Sequence, residues 1–251
     1  MTGRVLLTLL VLALADPAQA DHAAECRLGA QEIERDFPLP QVTRAIDAKH
    51  LNILVVGAGS SLLPGSSGAK NAYPARLEAA LAAKLPGVAV QVSTDVQARR
   101  TAGEMVTSLP ASLAAAKPAL MVWQTGTVDA MQSIDTDQFR AALEQGINIA
   151  RSAGADVVLI NAQYSPRTES MIALGLYAEN MRWVALQQQE VPLFDRFSIM
   201  KLWADLGTFD LYSATKKLDM AEQVHDCIGQ LLADLVFQSA KPDEPRAESG
   251  R

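Results

Sequence analysis

Apolar residues recur along this chain with two different spacings. Five short runs of mostly branched apolar residues are typical of strands buried on both faces, and the longer segments between them have helical spacing. The strands are predicted at residues 51–56, 88–92, 120–124, 156–161 and 191–194, and the helices at 73–84, 102–116, 137–153, 170–189 and 216–237. Strands that alternate with helices of this length predict βαβ units and a parallel sheet.

Five such strands fit a flavodoxin-like α/β fold, a three-layer α/β/α sandwich with strand order 2-1-3-4-5. In that order the loops leaving the first three strands meet at one sheet edge, beside the topological switch point where open α/β folds bind ligands. The first loop is a Gly/Ser run that includes Ser60 and Ser61, and the other two lie at 99–103 and 125–129. A Gly/Ser run alone is more often only a turn, so the rest of the chain has to support a site at this edge.

The first twenty residues are typical of a secretory signal peptide. Arg4 supplies the positive charge, residues 6–15 form a short apolar stretch, and residues 18–20 form a small-x-small motif that predicts cleavage near Ala20. The apolar stretch is too short to span a bilayer, and no later stretch is long enough for a membrane helix. The sequence therefore predicts a periplasmic or secreted protein without an integral membrane segment after cleavage.

The remaining chain is predicted to form one domain between two polar ends. Residues 21–50 form an N-terminal arm with a short helix at 41–48, and residues 51–237 form the α/β domain. Residues 238–251 are polar, contain two prolines and are predicted to be a disordered tail.

The overall composition is that of a globular protein and narrows the range of partners. Apolar residues make up 49% of the chain and charged residues 20%, which argues against disorder. The net charge of −6 does not suggest a nucleic acid as a partner, because binding phosphates needs a basic face. The sequence has no metal-ligand spacing, phosphate-loop signature or dinucleotide fingerprint, so no cofactor is predicted.

The chain contains two cysteines, Cys26 and Cys227. In an exported protein an even pair most simply forms one disulfide, which here would tie the N-terminal arm to the last helix. The alternative is a pair of separate buried thiols.

Three histidines occur in the chain, and only His225 follows the fifth predicted strand. Imidazole has a pKa suited to a general base, and a carboxylate must hold it in the correct tautomer. Glu222 lies three residues before His225, a spacing that lets the two side chains meet on a helix. Asp219 and Asp226 are weaker candidates for the same role. On its own, His225 is equally consistent with a surface or capping histidine.

The order of short motifs from about residue 50 to 237 resembles the SGNH/GDSL hydrolase family. Residues 59–65, Gly-Ser-Ser-Leu-Leu-Pro-Gly, match the family's Gly-Asp-Ser block in the spacing of both glycines, with Ser60 in place of the aspartate. Gly103 corresponds to the glycine of the second block. Residues 126–129, Gly-Thr-Val-Asp, match the Gly-x-Asn-Asp block except at Val128, and Glu222-x-x-His225 stands for Asp-x-x-His.

This resemblance implies a serine esterase that needs no cofactor. Ser61 would be the nucleophile, His225 the general base and Glu222 the acid that orients it, while the backbone N–H groups of Ser61 and Gly103 would form the oxyanion hole. Valine at 128 cannot donate a hydrogen bond, and loss of one such donor lowers turnover about 100- to 1000-fold. Gln124, Thr125 and Thr127 are the neighbouring polar residues that could replace it.

The location and the family favour an acyl ester on an envelope or extracellular carbohydrate as the substrate. Two alternatives stay open. The same site could transfer the acyl group to a sugar hydroxyl instead of water. The chain could also be a non-catalytic envelope protein that keeps the fold and binds a glycan or a partner, which Val128 favours.

Two further polar segments follow predicted strands at the same sheet edge. Arg99 and Arg100 are expected either to attract an anionic substrate or to form a solvated turn. Residues 164–167, Tyr-Ser-Pro-Arg, are expected either to line the pocket or to form a simple turn.

Overall fold

The fold was determined as a computed structural model. It describes residues 26, 29–30, 33, 37–188, 191–212 and 217–240. The predicted signal peptide, most of the N-terminal arm before residue 37 and residues 241–251 of the predicted tail lie outside the described residues.

Five parallel strands form one sheet in the order β2-β1-β3-β4-β5. The strands are β1 (His50–Gly57), β2 (Ala89–Val96), β3 (Leu120–Gln124), β4 (Asp156–Ile160) and β5 (Leu193–Phe194). Every residue of β3, the central strand, is buried, as expected for a strand covered by helices on both faces. The predicted fold class and strand order are confirmed.

Ten helices connect or flank these strands in the described part of the chain. They are α1 (Pro40–Asp47), α2 (Gly68–Asn71), α3 (Tyr73–Lys84), α4 (Ala102–Ala116), α5 (Thr127–Met131), α6 (Thr136–Ser152), α7 (Pro166–Glu169), α8 (Leu174–Gln187), α9 (Arg196–Asp205) and α10 (Lys217–Ser239). Helix α3 packs against α10, and α4 packs against α6. None of the described helices combines the length and apolar character needed to cross a membrane.

The close contact between α3 and α10 fixes the position of the C-terminal helix. Gly229 of α10 has no side chain where it meets α3, and an added Cβ would lie 2.4 Å from Cβ of Arg76. The amine of Lys84 pairs with Asp234 at 2.6 Å further along the same two helices. Together these contacts hold the preceding turns of α10 over the start of α3.

The predicted disulfide joins Cys26 to Cys227. Both half-cystines are buried, so the bond holds the N-terminal arm against the middle of α10. A second anchor holds α1, whose first turn lacks a side-chain cap of its own. Asp156 at the start of β4 accepts the Gln41 and Val42 N–H groups at 2.7 and 2.9 Å.

The structure corrects the predicted elements at several places, and β2 continues to Val96, four residues beyond its predicted end. Helix α9 was not predicted, because its ten residues have weak amphipathic spacing. Helix α8 begins at Leu174 rather than at residue 170, after the short helix α7. Helix α10 continues to Ser239, and Ser239 and Ala240 are buried, so residues 238–240 of the predicted tail belong to the folded domain.

Candidate functional site

Ser61 lies where β1 reaches the carboxyl edge of the sheet. The strand ends at Gly57, and a 3₁₀ turn over Gly59–Ser61 folds Ser61 back over the strand end. A Cβ added to Gly57 would lie 2.3 Å from the Ser61 hydroxyl, so only glycine leaves room for this turn. The Ser61 side chain is fully buried.

The hydroxyl of Ser61 is held by an amide and a phenol. It donates to Oε1 of Gln124 at 2.7 Å and lies 3.1 Å from the hydroxyl of Tyr73. Ser60 also donates to Oε1 of Gln124, at 2.8 Å. Gln124 ends β3, the strand beside β1, which explains why it reaches both serines. Its Nε2 is buried and has no partner among the described residues.

Tyr73 links Ser61 to His225 through different atoms. Its hydroxyl contacts Ser61, while its backbone N–H, at the start of α3, donates to Nδ1 of His225 at 3.0 Å. Burial raises the pKa of Tyr73 to about 12, although the Ser61 hydrogen bond and the charge of Arg196 act in the opposite direction. The phenol therefore stays protonated at neutral pH.

The imidazole of His225 is buried and uncharged. Burial lowers its pKa to about 3, and the nearby charge of Arg196 adds to the effect. Because Nδ1 accepts the Tyr73 N–H, the proton of the neutral ring resides on Nε2. A general base for Ser61 needs the opposite tautomer, with Nδ1 protonated and Nε2 free.

The structure does not bring Glu222 to His225. Oε1 of Glu222 instead accepts from Nδ2 of Asn71 at 2.8 Å, and the guanidinium of Arg76 holds the other end of this amide at 2.9 Å. Helical spacing permits a contact between Glu222 and His225, but the carboxylate binds Asn71, which is distant in sequence, instead. Asp219 is exposed and does not reach the imidazole either.

Arg196 is the residue of this region that the sequence analysis missed. It begins α9 directly after β5 and is 1% exposed. Its guanidinium donates to the Ser60 carbonyl at 2.9 Å and to Oε1 of Gln163 at 3.2 Å, and it lies over the Tyr73 ring. The sequence feature that could have identified Arg196 is its position just after the fifth predicted strand, at the carboxyl edge of the sheet.

The proposed oxyanion glycine, Gly103, is the second residue of α4. Its N–H belongs to the first turn, whose donors the helix does not use. Asp129 ties this helix to the third loop, since its carboxylate accepts from the N–H groups of Ala102 and Gly126 at 2.9 and 3.2 Å. Val128 packs against the core, and its apolar side chain offers no donor.

The structure places the two other polar segments, residues 99–100 and 164–167, in different surroundings. Arg100 is buried, pairs with Asp95 at 3.1 Å and donates to Ser108, so its role is structural and it is not a free anion-attracting group. Tyr164 and Arg167 line a cleft together with Arg196 and His225. Among the described residues, no three His, Cys, Asp or Glu side chains are grouped to hold a metal ion.

The family of the chain follows from its sequence match. The model of the Non-GDSL lipase-like family matches residues 25–242, which is most of the chain. The chain belongs to the Non-GDSL lipase-like family. No curated protein matches the sequence.

Solved structures similar to this Non-GDSL lipase-like chain include several esterases. The lipase/acylhydrolase from Enterococcus faecalis is 18% identical, with a TM-score of 0.57, covering 73% of this chain and 94% of that one. A catalytic mutant of an acetylxylan esterase from Geobacillus stearothermophilus is 17% identical, with a TM-score of 0.57 and coverage of 76% and 94%. A two-domain esterase active on acetylated mannans is 14% identical, with a TM-score of 0.63 and coverage of 85% and 58%.

These similarities confirm the resemblance to SGNH/GDSL hydrolases at the level of family and fold. The lipase-like chain shares the 2-1-3-4-5 sheet and its covering helices with proteins that cleave esters. At identities this low the structural similarity concerns the fold alone, so the roles of individual residues rest on the geometry described above.

Proposed function

We propose that this protein is a secreted serine esterase of the SGNH type, with Ser61 as its nucleophile. The observation that carries the proposal is the position of the Ser61 hydroxyl. It lies at the switch point of the sheet and forms hydrogen bonds with Gln124 and Tyr73. Tyr73 in turn donates its backbone N–H to His225. Membership of a lipase-like family supports ester hydrolysis as the chemistry at this position.

The proposed substrate is an acyl ester on an envelope or extracellular carbohydrate. The similarity in fold to an acetylxylan esterase and to an esterase active on acetylated mannans supports this class. The predicted signal peptide and the buried disulfide between Cys26 and Cys227 support action outside the cytoplasm.

In the proposed reaction, Ser61 Oγ forms a bond to the ester carbonyl carbon while Nε2 of His225 takes the hydroxyl proton. The carbonyl oxygen becomes an oxyanion, and the C–O bond to the alcohol breaks as His225 returns the proton to the leaving oxygen. Water then attacks the acyl-enzyme by the same route in reverse, releasing a carboxylic acid and free Ser61. No cofactor takes part in these steps.

This reaction requires a rearrangement of the described geometry around His225. Nδ1 has to release the Tyr73 N–H and carry the proton itself, so that Nε2 becomes free to accept from Ser61. Glu222, one turn earlier on α10, would leave Asn71 and accept a hydrogen bond from the Nδ1–H group in the reacting state. The described arrangement is the resting state of the proposed enzyme.

A non-catalytic binding protein is the second candidate, and it has its own supporting observation. Ser61 has no exposed surface, and Nδ1 of His225 is already an acceptor, so the two side chains are not arranged for proton transfer. If this geometry never changes, the fold serves to bind a glycan or a partner.

Covalent labelling with a fluorophosphonate separates the two candidates. We expect an adduct on Ser61 that is lost in Ser61→Ala and His225→Ala and kept in Ser60→Ala. Ser60 is the matched control, because it donates to the same oxygen of Gln124 and is more exposed than Ser61. Fragment ions of the tryptic peptide 50–70, which contains both serines, locate the adduct.

Two results would contradict the esterase proposal. An adduct on Ser60 would show that Ser60, and not Ser61, is the nucleophile. No adduct on folded, disulfide-bonded protein would favour the binding protein, and glycan binding would then replace ester turnover as the assay.

Val128 stands where the SGNH/GDSL family has an asparagine that donates to the oxyanion. The amide nitrogen of Gln124, which has no partner among the described residues, is the candidate for the missing donor. We propose that rotation of this amide turns Nε2 towards the oxyanion that forms on Ser61, as a third donor besides the backbone N–H groups of Ser61 and Gly103. Its buried Nε2 is free to take this role, and its Oε1 already contacts both serines.

Gln124→Glu tests this role, because glutamate keeps the shape and the acceptor oxygens but loses the donor. We expect kcat for a short acyl ester to fall about 100- to 1000-fold, with KM little changed, as for the loss of one oxyanion donor. Val128→Asn in the Gln124→Glu background is expected to restore part of the rate. If Gln124→Glu keeps kcat within about threefold, Gln124 acts only as an acceptor that holds the serines.

A further inference from the structure

A cleft of about 310 Å³ is lined in part by His225, and Ser61 is not among its lining residues. Its polar wall is formed by Gln163, Arg167, Arg196 and His225. Two of these residues are arginines, and no aspartate or glutamate among the described residues lines the cleft. The cleft therefore presents positive charge without an internal counter-charge.

Arg196 is the strongest feature of this wall. It is almost completely buried, and within the described part of the chain no carboxylate pairs with it. Two of its five N–H groups donate to neutral oxygens, and its buried Nε has no partner. Burial lowers the pKa of Arg196 to about 10, so it remains charged at neutral pH. An unpaired buried cation is costly unless a ligand neutralises it.

His225 contributes a donor but no acceptor to the cleft. Because Nδ1 accepts the Tyr73 N–H, the neutral ring has its N–H at Nε2. The Nε2–H group of the neutral ring, close to a guanidinium, favours binding of a negatively charged oxygen and disfavours binding of a cation.

The cleft is also lined by apolar side chains. Met200, Leu211, Met220 and Val224 line it. Methionine side chains adapt to irregular apolar ligands. The cleft therefore combines cationic and apolar lining, and a small organic acid has the complementary composition.

We propose that this cleft binds the carboxylate of a small monocarboxylic acid with an apolar body, with Arg196 as the main donor. A single buried guanidinium neutralises one negative charge, and its planar geometry suits a carboxylate. Binding of a carboxylate does not require reactivity at Ser61, although His225 belongs both to this cleft and to the proposed catalytic site. The ligand is either a free acid or a carboxylate group of a larger molecule.

Isothermal titration with hexanoate tests the proposal, with hexanamide as the neutral isostere and inorganic phosphate as the alternative anion. We expect hexanoate to bind at least tenfold more tightly than hexanamide, and phosphate to bind more weakly than hexanoate. Arg196→Gln should weaken hexanoate binding about tenfold or more and leave hexanamide unchanged, since hydrogen bonds to a charged group are the strong ones. Arg99→Gln, which removes the same charge from an exposed position, should change neither.

The same titration on Ser61→Ala separates this site from turnover, since hexanoate should still bind there. If Arg196→Gln does not fold, the test uses ¹⁵N-histidine spectra of the wild-type protein. Hexanoate should then shift the His225 resonances and leave those of His50, at the opposite sheet edge, in place. Equal affinity for hexanoate and hexanamide, binding of phosphate alone, or an unshifted His225 would each overturn the proposal.

Discussion

The protein is expected to lose stability as the pH falls below about 6.5, because in the folded resting state the buried imidazole of His225 takes up a proton from solvent only at a much lower pH than in the unfolded chain. Its pKa is lowered from 6.5 to about 3 by burial and by the charge of Arg196, whereas in the unfolded chain it has its ordinary value. Between these two values the unfolded state binds more protons than the folded state, so acid favours unfolding. The stability is complete above pH 6.5 and declines as the pH falls towards 3. The total loss is on the order of 4 kcal/mol.

Denaturant unfolding between pH 4.5 and 6.5 of the wild-type protein and a variant without the imidazole isolates this contribution, because their difference cancels the carboxylates that both proteins share. Over this range the wild-type protein is expected to lose roughly 2 kcal/mol of unfolding free energy. His225→Asn removes the titrating group while its Oδ1 still accepts from the Tyr73 N–H, so its stability should change much less with pH. His50→Asn, at an exposed position, is the matched control and should keep the wild-type slope. An equal slope in His225→Asn would show that other groups cause the acid sensitivity.

Removal of the disulfide between Cys26 and Cys227 is expected to lower the free energy of unfolding by about 4–5 kcal/mol. The bond joins residues 201 positions apart, so it restricts almost the entire unfolded chain. It also holds the N-terminal arm on α10, where both half-cystines are buried. Breaking the bond frees the arm in the folded state and the whole chain in the unfolded state.

Urea unfolding of wild-type protein with and without a reductant measures this effect, followed by tryptophan fluorescence, since Trp123 and Trp203 are buried. The Cys26→Ala, Cys227→Ala double variant should have the stability of the reduced protein and should not respond to reductant. A difference below about 1 kcal/mol between oxidised and reduced protein would mean that the packing of α10 already fixes the arm.

The sheet and most helices could be predicted because their signal is local. Runs of apolar residues identify β1, β3 and β4 without knowledge of the tertiary structure. The strand β3 and the helices α3 and α4 begin and end at the predicted residues. Strand order and the edge that carries the site follow from the alternation of strands and helices, because few topologies accommodate it. The disulfide followed from the predicted export and the count of two cysteines.

The partners of the site residues could not be predicted in the same way. Sequence spacing offered Glu222 as the partner of His225, yet the imidazole takes the N–H of Tyr73, 152 residues away, and the carboxylate takes Asn71, 151 residues away. Each choice depends on how α3 and α10 pack, and the glycine at 229 sets that distance. No local pattern encodes it.

The sequence by itself therefore determined the fold class, the position of Ser61 at the switch point, the lipase-like resemblance and the cysteine pair. Only the tertiary structure decided the tautomer of His225, the contact of Gln124 with both serines and the burial of Arg196. The physical reason is that apolar periodicity is a property of neighbouring residues, whereas a hydrogen bond or an unpaired charge depends on which distant groups the packed elements bring within about 3 Å.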